Sequence, residues 1–173
     1  RDKLVTGVQT CALPIWATLL PDGRVLVTGG RTEGDALEDV LTWDRDAQEV
    51  EDAGSLSEAR ADHTATLLDD GRVLVIGGWS GEDVASAEVW DPTTDEWRSA
   101  GRLPMARSEH TATLLDDGRV LVVGGEGGPL VGEIDVWDPS TASFHSAGRL
   151  STARVNHTAT RLHDGRVLII GGT

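Results

Sequence analysis

The chain has no tyrosine and only one each of cysteine, phenylalanine and methionine in 173 residues. A lone cysteine cannot close a disulfide within the chain. No stretch approaches the run of about 18 apolar residues that a membrane-spanning helix needs, so insertion by such a helix is excluded. Positive charge is scarce. Against 29 Asp and Glu stand 15 Lys and Arg, for a net charge of −14. That balance argues against a nucleic-acid phosphate backbone or an anionic membrane as the main partner and favours a neutral or cationic one. Also missing are a phosphate-binding loop, a nucleophile elbow and any His/Cys cluster at metal-ligand spacing. What remains, 39% apolar and 25% charged residues, is a globular rather than a disordered composition.

Two residue types that occur only once, cysteine and lysine, both lie in the first fifteen positions. Val5 to Ile15, VTGVQTCALPI, resembles the in-frame translation of a widely used sequencing adapter, and Arg1 to Leu4 match the adjoining primer end and a barcode. Residues 1–15 are therefore expected to be adapter-derived, and such scars are set aside in reasoning about fold. Cys11 and Lys3, the only cysteine and the only lysine, go with them, so every cation of residues 16–173 is arginine and nothing points to a redox compartment. Losing Arg1, Asp2 and Lys3 removes one net positive charge and leaves the chain more acidic. The expectation is a fragment whose true N-terminus is missing, which leaves localisation open. Its Arg, Ala, Gly and Asp in place of Lys, Tyr and Asn suit a GC-rich bacterial genome.

The remainder repeats every 47 residues. His63, His110 and His157 hold this phase, as do Arg60, Arg107 and Arg154, and Trp43, Trp90 and Trp137. The second glycines of three pairs, Gly78, Gly125 and Gly172, keep it too, whereas the first copy carries one extra residue between Gly30 and Trp43. A period of this length is the signature of a repeat architecture. Within one copy, HTATLL and RVLVIG are β-branched runs separated by Asp70-Gly71, a strong hairpin signal. Val73 and Val75 point to one face of the second strand and Leu74 and Ile76 to the other, so this strand is expected to lie between stacked sheets. Ala87 to Trp90 reads as a third strand, Asp91 to Asp95 as a turn, and Trp97 opens a fourth.

The order of a glycine pair, an aromatic followed by Asp-Pro, and a second aromatic seven residues later resembles the kelch repeat. Gly77-Gly78, Trp90 and Trp97 meet the pattern, as do Gly124-Gly125, Trp137 and Phe144. The first copy keeps Gly29-Gly30 and Trp43 but has Val50 and Arg45 where the second aromatic and the proline recur, and Gly171-Gly172 ends the last copy. The resemblance implies an all-β fold, a partial kelch-type β-propeller of about three and a half four-stranded antiparallel blades. Residues 16–60, 61–107 and 108–154 would form three blades, and 155–173 the first two strands of a fourth. A ring needs four to eight blades, so an open arc with unpaired edges is expected, the missing blades belonging to the same chain.

The repeat is its own control. A residue present at one phase in every copy is expected to build blades, and a residue unique to one copy is the better ligand candidate. Strand alternation places the second-to-third-strand and the blade-to-blade connections on one face, and both hairpin turns of each blade on the other. The hairpin-turn face is repetitive and acidic, with Asp69, Asp70, Asp116, Asp117, Asp164, Asp91, Asp95 and Asp138. Turn-forming Asp accounts for these better than cation binding, because no stretch has calcium-loop spacing. The other face varies, with Arg31, Trp79 and Glu126 after the glycine pairs and Asp62, Glu109 and Asn156 before the histidines. Trp79 has no counterpart in other copies and would stack on a sugar or anchor a partner. By the kelch resemblance, Arg60, Arg107 and Arg154 would line the channel mouth and grip a ligand, although their recurrence favours hydrogen bonds between blades. The three recurring histidines are expected to be buried and hydrogen-bonded, and His145 and His163 solvent-facing.

These readings converge on a non-catalytic scaffold with a protein or carbohydrate ligand on the variable face. No catalytic residue, metal ligand or cofactor is assigned. The alternative is part of a kelch-fold enzyme, either a copper-radical oxidase resembling galactose oxidase or a sugar-acid epimerase. The oxidase site requires tyrosines and a cysteine that residues 16–173 lack.

Overall fold

A computed structural model describes residues 16–173. The adapter-like residues 1–15 lie outside the described residues. Three four-stranded antiparallel sheets follow one another, each in simple sequence order. The first is β1 (Trp16–Leu19), β2 (Val25–Thr28), β3 (Asp39–Asp44) and β4 (Glu49–Ser55). The second is β5 (Thr64–Leu67), β6 (Val73–Ile76), β7 (Ser86–Asp91) and β8 (Glu96–Arg102). The third is β9 (Thr111–Leu114), β10 (Val120–Val123), β11 (Glu133–Asp138) and β12 (Ser143–Arg149), and a two-stranded sheet of β13 (His157–Arg161) and β14 (Val167–Gly171) ends the chain. No helix occurs among the described residues.

Each sheet faces the next, in the stacked-blade arrangement of a propeller arc. The first strands β1, β5, β9 and β13 neighbour one another along its inner side. The alternation of β6 decides where its side chains go: Val73 and Val75 join Leu20, Leu26 and Val40 of the first sheet, while Leu74 and Ile76 join Val120 and Val122 of the third. All four β6 side chains are fully buried, as a strand apolar on both faces requires. The recurring tryptophans seal the same interfaces. Trp90 packs against the first sheet and Trp137 against the second, where its indole N–H donates to the Ala100 carbonyl at 2.9 Å.

The Asp-Gly hairpins form, as three-residue loops. In the second sheet Leu68 N–H donates to Arg72 O and Gly71 N–H to Leu68 O, with Gly71 at φ +86°, so glycine supplies the left-handed residue of a turn-plus-bulge. The outer strand pairs shift register at Ser86/Glu88 and Ile134/Asp135, opposite Gly101 and Gly148 at positive φ.

Candidate functional site

The recurring arginines turn out to belong to the framework. Arg60 leaves the β4–β5 crossover and runs into the second sheet, where Nη1 donates to the Gly77 and Ser86 carbonyls at 2.9 Å. Its Nη2 reaches Ser86 Oγ and Glu88 Oε1, both at 2.8 Å. Glu88 in turn accepts from the Ser57 backbone N–H of the same crossover. Arg107 repeats the arrangement with Glu133 O and Asp135 Oδ2. Both arginine side chains are 0% exposed, so the expectation that Arg60 and Arg107 grip a ligand at the channel mouth is corrected: every direction their fork points is occupied by the blade. Arg154 stays half-buried, with Nη1 on the Gly171 carbonyl. Glu88 and Asp135, the partners of Arg60 and Arg107, were missed in the sequence. Their signal was an acid at one repeat phase within an apolar third strand.

Each recurring histidine reaches back to a threonine of the preceding sheet through Nε2: His63 to Thr28, His110 to Thr64 and His157 to Thr111, at 2.9 to 3.0 Å. In the first of these the usual threonine position holds Trp16, which stacks on the His63 ring with centroids 4.7 Å apart, and Thr28 substitutes. Burial, seconded by the neighbouring arginine charge, pushes His63 and His110 down to about 3, so both rings are neutral at ordinary pH. They are joints between blades, each serving a separate interface.

The variable residues gather at the same end of these strands, beside the histidines. A cleft of about 320 Å³ is lined by Arg31, Asp62, Trp79, Asp83, Glu109 and Glu126, together with Ser108 and Gly128. Arg31 lies with its guanidinium carbon 4.4 Å from the Trp79 ring centroid and donates through Nη2 to Asp62 Oδ2 at 2.9 Å. Trp79 is half-buried beneath it, its backbone paired with Ala61 from the second sheet's inner edge. Asp83 accepts from Ser108 Oγ at 2.9 Å; the sequence reading had not singled out either residue as a contact. Asp62, Glu109 and Asn156 all adopt left-handed backbone, φ +53°, +53° and +55°, which is strained for residues with a side chain. They link along the arc by Glu109 N–H to Asp62 O and Asn156 Nδ2 to Glu109 Oε2 at 2.9 Å. The same three residues edge a groove of about 540 Å³ along β5, β9 and β13, whose floor is Thr and Ala with the histidines behind. The structure thus brings Arg31, Trp79, Glu126, Asp62 and Glu109 to one cleft, and leaves Asn156 on the neighbouring groove alone.

The acidic face is balanced locally. Asp22, Asp70, Asp117 and Asp164 each accept from the backbone N–H and Nε of the arginine two residues on, at 2.8 to 3.1 Å. Asp91 and Asp138 instead cap their own turns through Thr93 and Ser140. These contacts hold the carboxyls below their usual range. Among the described residues no group of three or more His, Cys, Asp or Glu is arranged to hold a metal ion, and no helix is long and apolar enough to cross a membrane.

Comparison with known proteins agrees with the fold. Residues 60–104 match the Kelch motif family. The chain superposes on the solved structure of YjhT, a kelch-type propeller, with a TM-score of 0.78 at 16% identity, over 91% of this chain and 58% of that one. Such a likeness establishes the fold, and this chain spans 58% of the length of YjhT. No curated protein matches it.

Proposed function

We propose that this arc of kelch repeats is a binding scaffold that takes a protein or carbohydrate ligand on the face of the β2–β3, β6–β7 and β10–β11 loops and the sheet-to-sheet crossovers. The observation that carries this reading is the cleft in which the blade-specific residues Arg31, Asp62, Trp79 and Glu126 converge. Residues that build blades recur at one phase, and these four do not; the contact between blades that uses their side chains, Arg31 over Trp79 and onto Asp62, is particular to this cleft. The indole offers apolar area, while the carboxylates of Glu109 and Glu126 accept hydrogen bonds from hydroxyl, amide or cationic groups. An acidic chain adds long-range attraction for a cationic ligand.

The test is a screen of the 173-residue chain on glycan and peptide arrays, followed by titration of the best ligand against Trp79→Ala and Glu126→Gln. Loss of about tenfold or more in affinity for Trp79→Ala, with unchanged far-ultraviolet circular dichroism, is the expected result. Wild-type affinity in both variants would remove the cleft as the contact. Turnover of the ligand by the chain would favour the kelch-enzyme reading instead.

A further inference from the structure

The cleft formed by the loops of the three four-stranded sheets is partly filled by the protein itself. The Arg31 guanidinium carbon lies 4.4 Å from the Trp79 ring centroid and Nη2 donates to Asp62 Oδ2 at 2.9 Å, a stack and an ion pair that suit a planar cation. This self-contact is loosely held. Arg31 Nε is buried with no hydrogen-bond partner, a donor whose desolvation goes uncompensated. The side chain is 37% exposed and Thr32 to Asp35 beyond it are exposed, so the arm has room to lift into water. Framework Arg60 is the contrast, 0% exposed with four hydrogen bonds from its two Nη atoms. Among the described residues Arg31 is also the only cation lining the cleft, where it faces the carboxylates of Asp62, Asp83, Glu109 and Glu126.

We propose that the cleft takes an arginine side chain of a protein partner and that Arg31 is the stand-in this arginine displaces. The proposal rests on the scaffold reading above and narrows its ligand to one class. An incoming guanidinium takes over the Trp79 face and Asp62, and the carboxylates of Glu109 and Glu126 line the same cleft for its remaining N–H groups. The displaced Arg31 returns to water. A neutral sugar is the poorer occupant, because lifting Arg31 off for it would leave Asp62, whose side chain is 19% exposed, without its counter-charge. Lysine is poorer too, since its compact ammonium neither lies flat on the ring nor forks onto a carboxylate.

Calorimetric titration of the whole chain with capped pentapeptides carrying one central arginine, lysine or citrulline among glycines tests this. The arginine peptide should bind most tightly, and its citrulline counterpart, which keeps the shape and loses the charge, should not bind. Arg31→Ala should tighten arginine binding by about threefold or more, because the competitor for Trp79 and Asp62 is gone. Arg45→Ala changes net charge equally, at a side chain 77% exposed in the β3–β4 turn, and should leave the affinity unchanged. Trp79→Ala should weaken it about tenfold. Far-ultraviolet circular dichroism of each variant should match the wild type. Citrulline binding as well as arginine, or Arg31→Ala no tighter than Arg45→Ala, would overturn the proposal. A neutral glycan bound through Trp79 while no arginine peptide binds would remove the guanidinium and keep the scaffold reading. Arginine binding that ignores Trp79→Ala, or no ligand in the cleft at all, would remove both.

Discussion

Gly77 and His110 compete for the same space. A Cβ on Gly77 would stand 2.9 Å from His110 Cε1 and 2.6 Å from the Arg107 carbonyl oxygen, and the backbone there is already at φ +61°. Gly124 meets His157 and Arg154 in the same way, so the first glycine of each pair is a socket for the following blade. Gly77→Ala should cost about 2–5 kcal/mol, combining backbone strain with overpacking. Gly128, at φ +82° with open space around it, is the control, and its alanine variant should lose only about 1 kcal/mol. Urea unfolding of both variants measures the difference; equal losses would mean that the socket carries no packing constraint.

Acid should unfold the protein through its buried histidines. Folded His63 and His110 titrate near 3 against 6.5 when unfolded, so between these values the unfolded chain binds protons that the native state refuses. Their stabilising contribution is complete above pH 6.5 and is lost as pH falls, at about 1.4 kcal/mol per pH unit per histidine. The turn carboxylates with lowered values, such as Asp70 and Asp117, act only below their model value of 3.8. Denaturation midpoints at pH 7.5, 6.0 and 5.0 isolate the imidazoles, and a flat profile over that range would contradict the assignment.

The Arg60–Glu88 pair, 0% and 6% exposed, should behave as a buried charge couple. Arg60→Met leaves Glu88 without its counter-charge and should cost about 3–5 kcal/mol, while Arg60→Met with Glu88→Leu should recover much of that loss. A double-mutant cycle by chemical denaturation reads the coupling. Additive losses would show that the two residues act independently.

Trp79 and Trp90 should separate by burial. Trp90→Ala empties a site that is 1% exposed between two sheets and should cost about 3–5 kcal/mol. Trp79→Ala removes a half-buried ring and the Arg31 stack, with an expected loss of about 1 kcal/mol. Thermal unfolding followed by far-ultraviolet circular dichroism compares them. A Trp79 loss as large as that of Trp90 would make the ring a structural plug rather than a ligand contact.

The Asp70–Arg72 staple is half open to solvent, with side chains 51% and 38% exposed. Asp70→Ala should therefore cost less than about 1 kcal/mol. The melting temperature should be the same in millimolar calcium and in chelator, as turn-forming carboxylates require; a calcium-dependent rise would reopen the acidic face as a cation site.

Much of the fold was legible because the repeat was. Alternation in Val73 to Ile76 announced a strand covered on both faces, and the pairing of Asp70-Gly71 with flanking β-branched runs announced the hairpin, since both depend on neighbours a few residues away. The site was legible only as a list. That Arg31 would lie over Trp79, and Asp62 close the pair, depends on two blades meeting at a particular angle, and no local pattern encodes that angle. For the arginines the sequence allowed two readings. The channel-mouth reading failed for Arg60 and Arg107 because Glu88 and Asp135 sit 28 residues further along, on the third strand of the same sheet, and draw the guanidinium inward.

By itself the sequence determined the repeat, the strands, the turns and the acidic balance, because these follow from side-chain alternation, glycine and proline backbone limits, and counted charge. Only the tertiary structure decided that the recurring arginines and histidines are spent on the framework. Burial and hydrogen-bond saturation are properties of the space between sheets, and the same arginine is a ligand contact or a rivet according to what stands opposite it there.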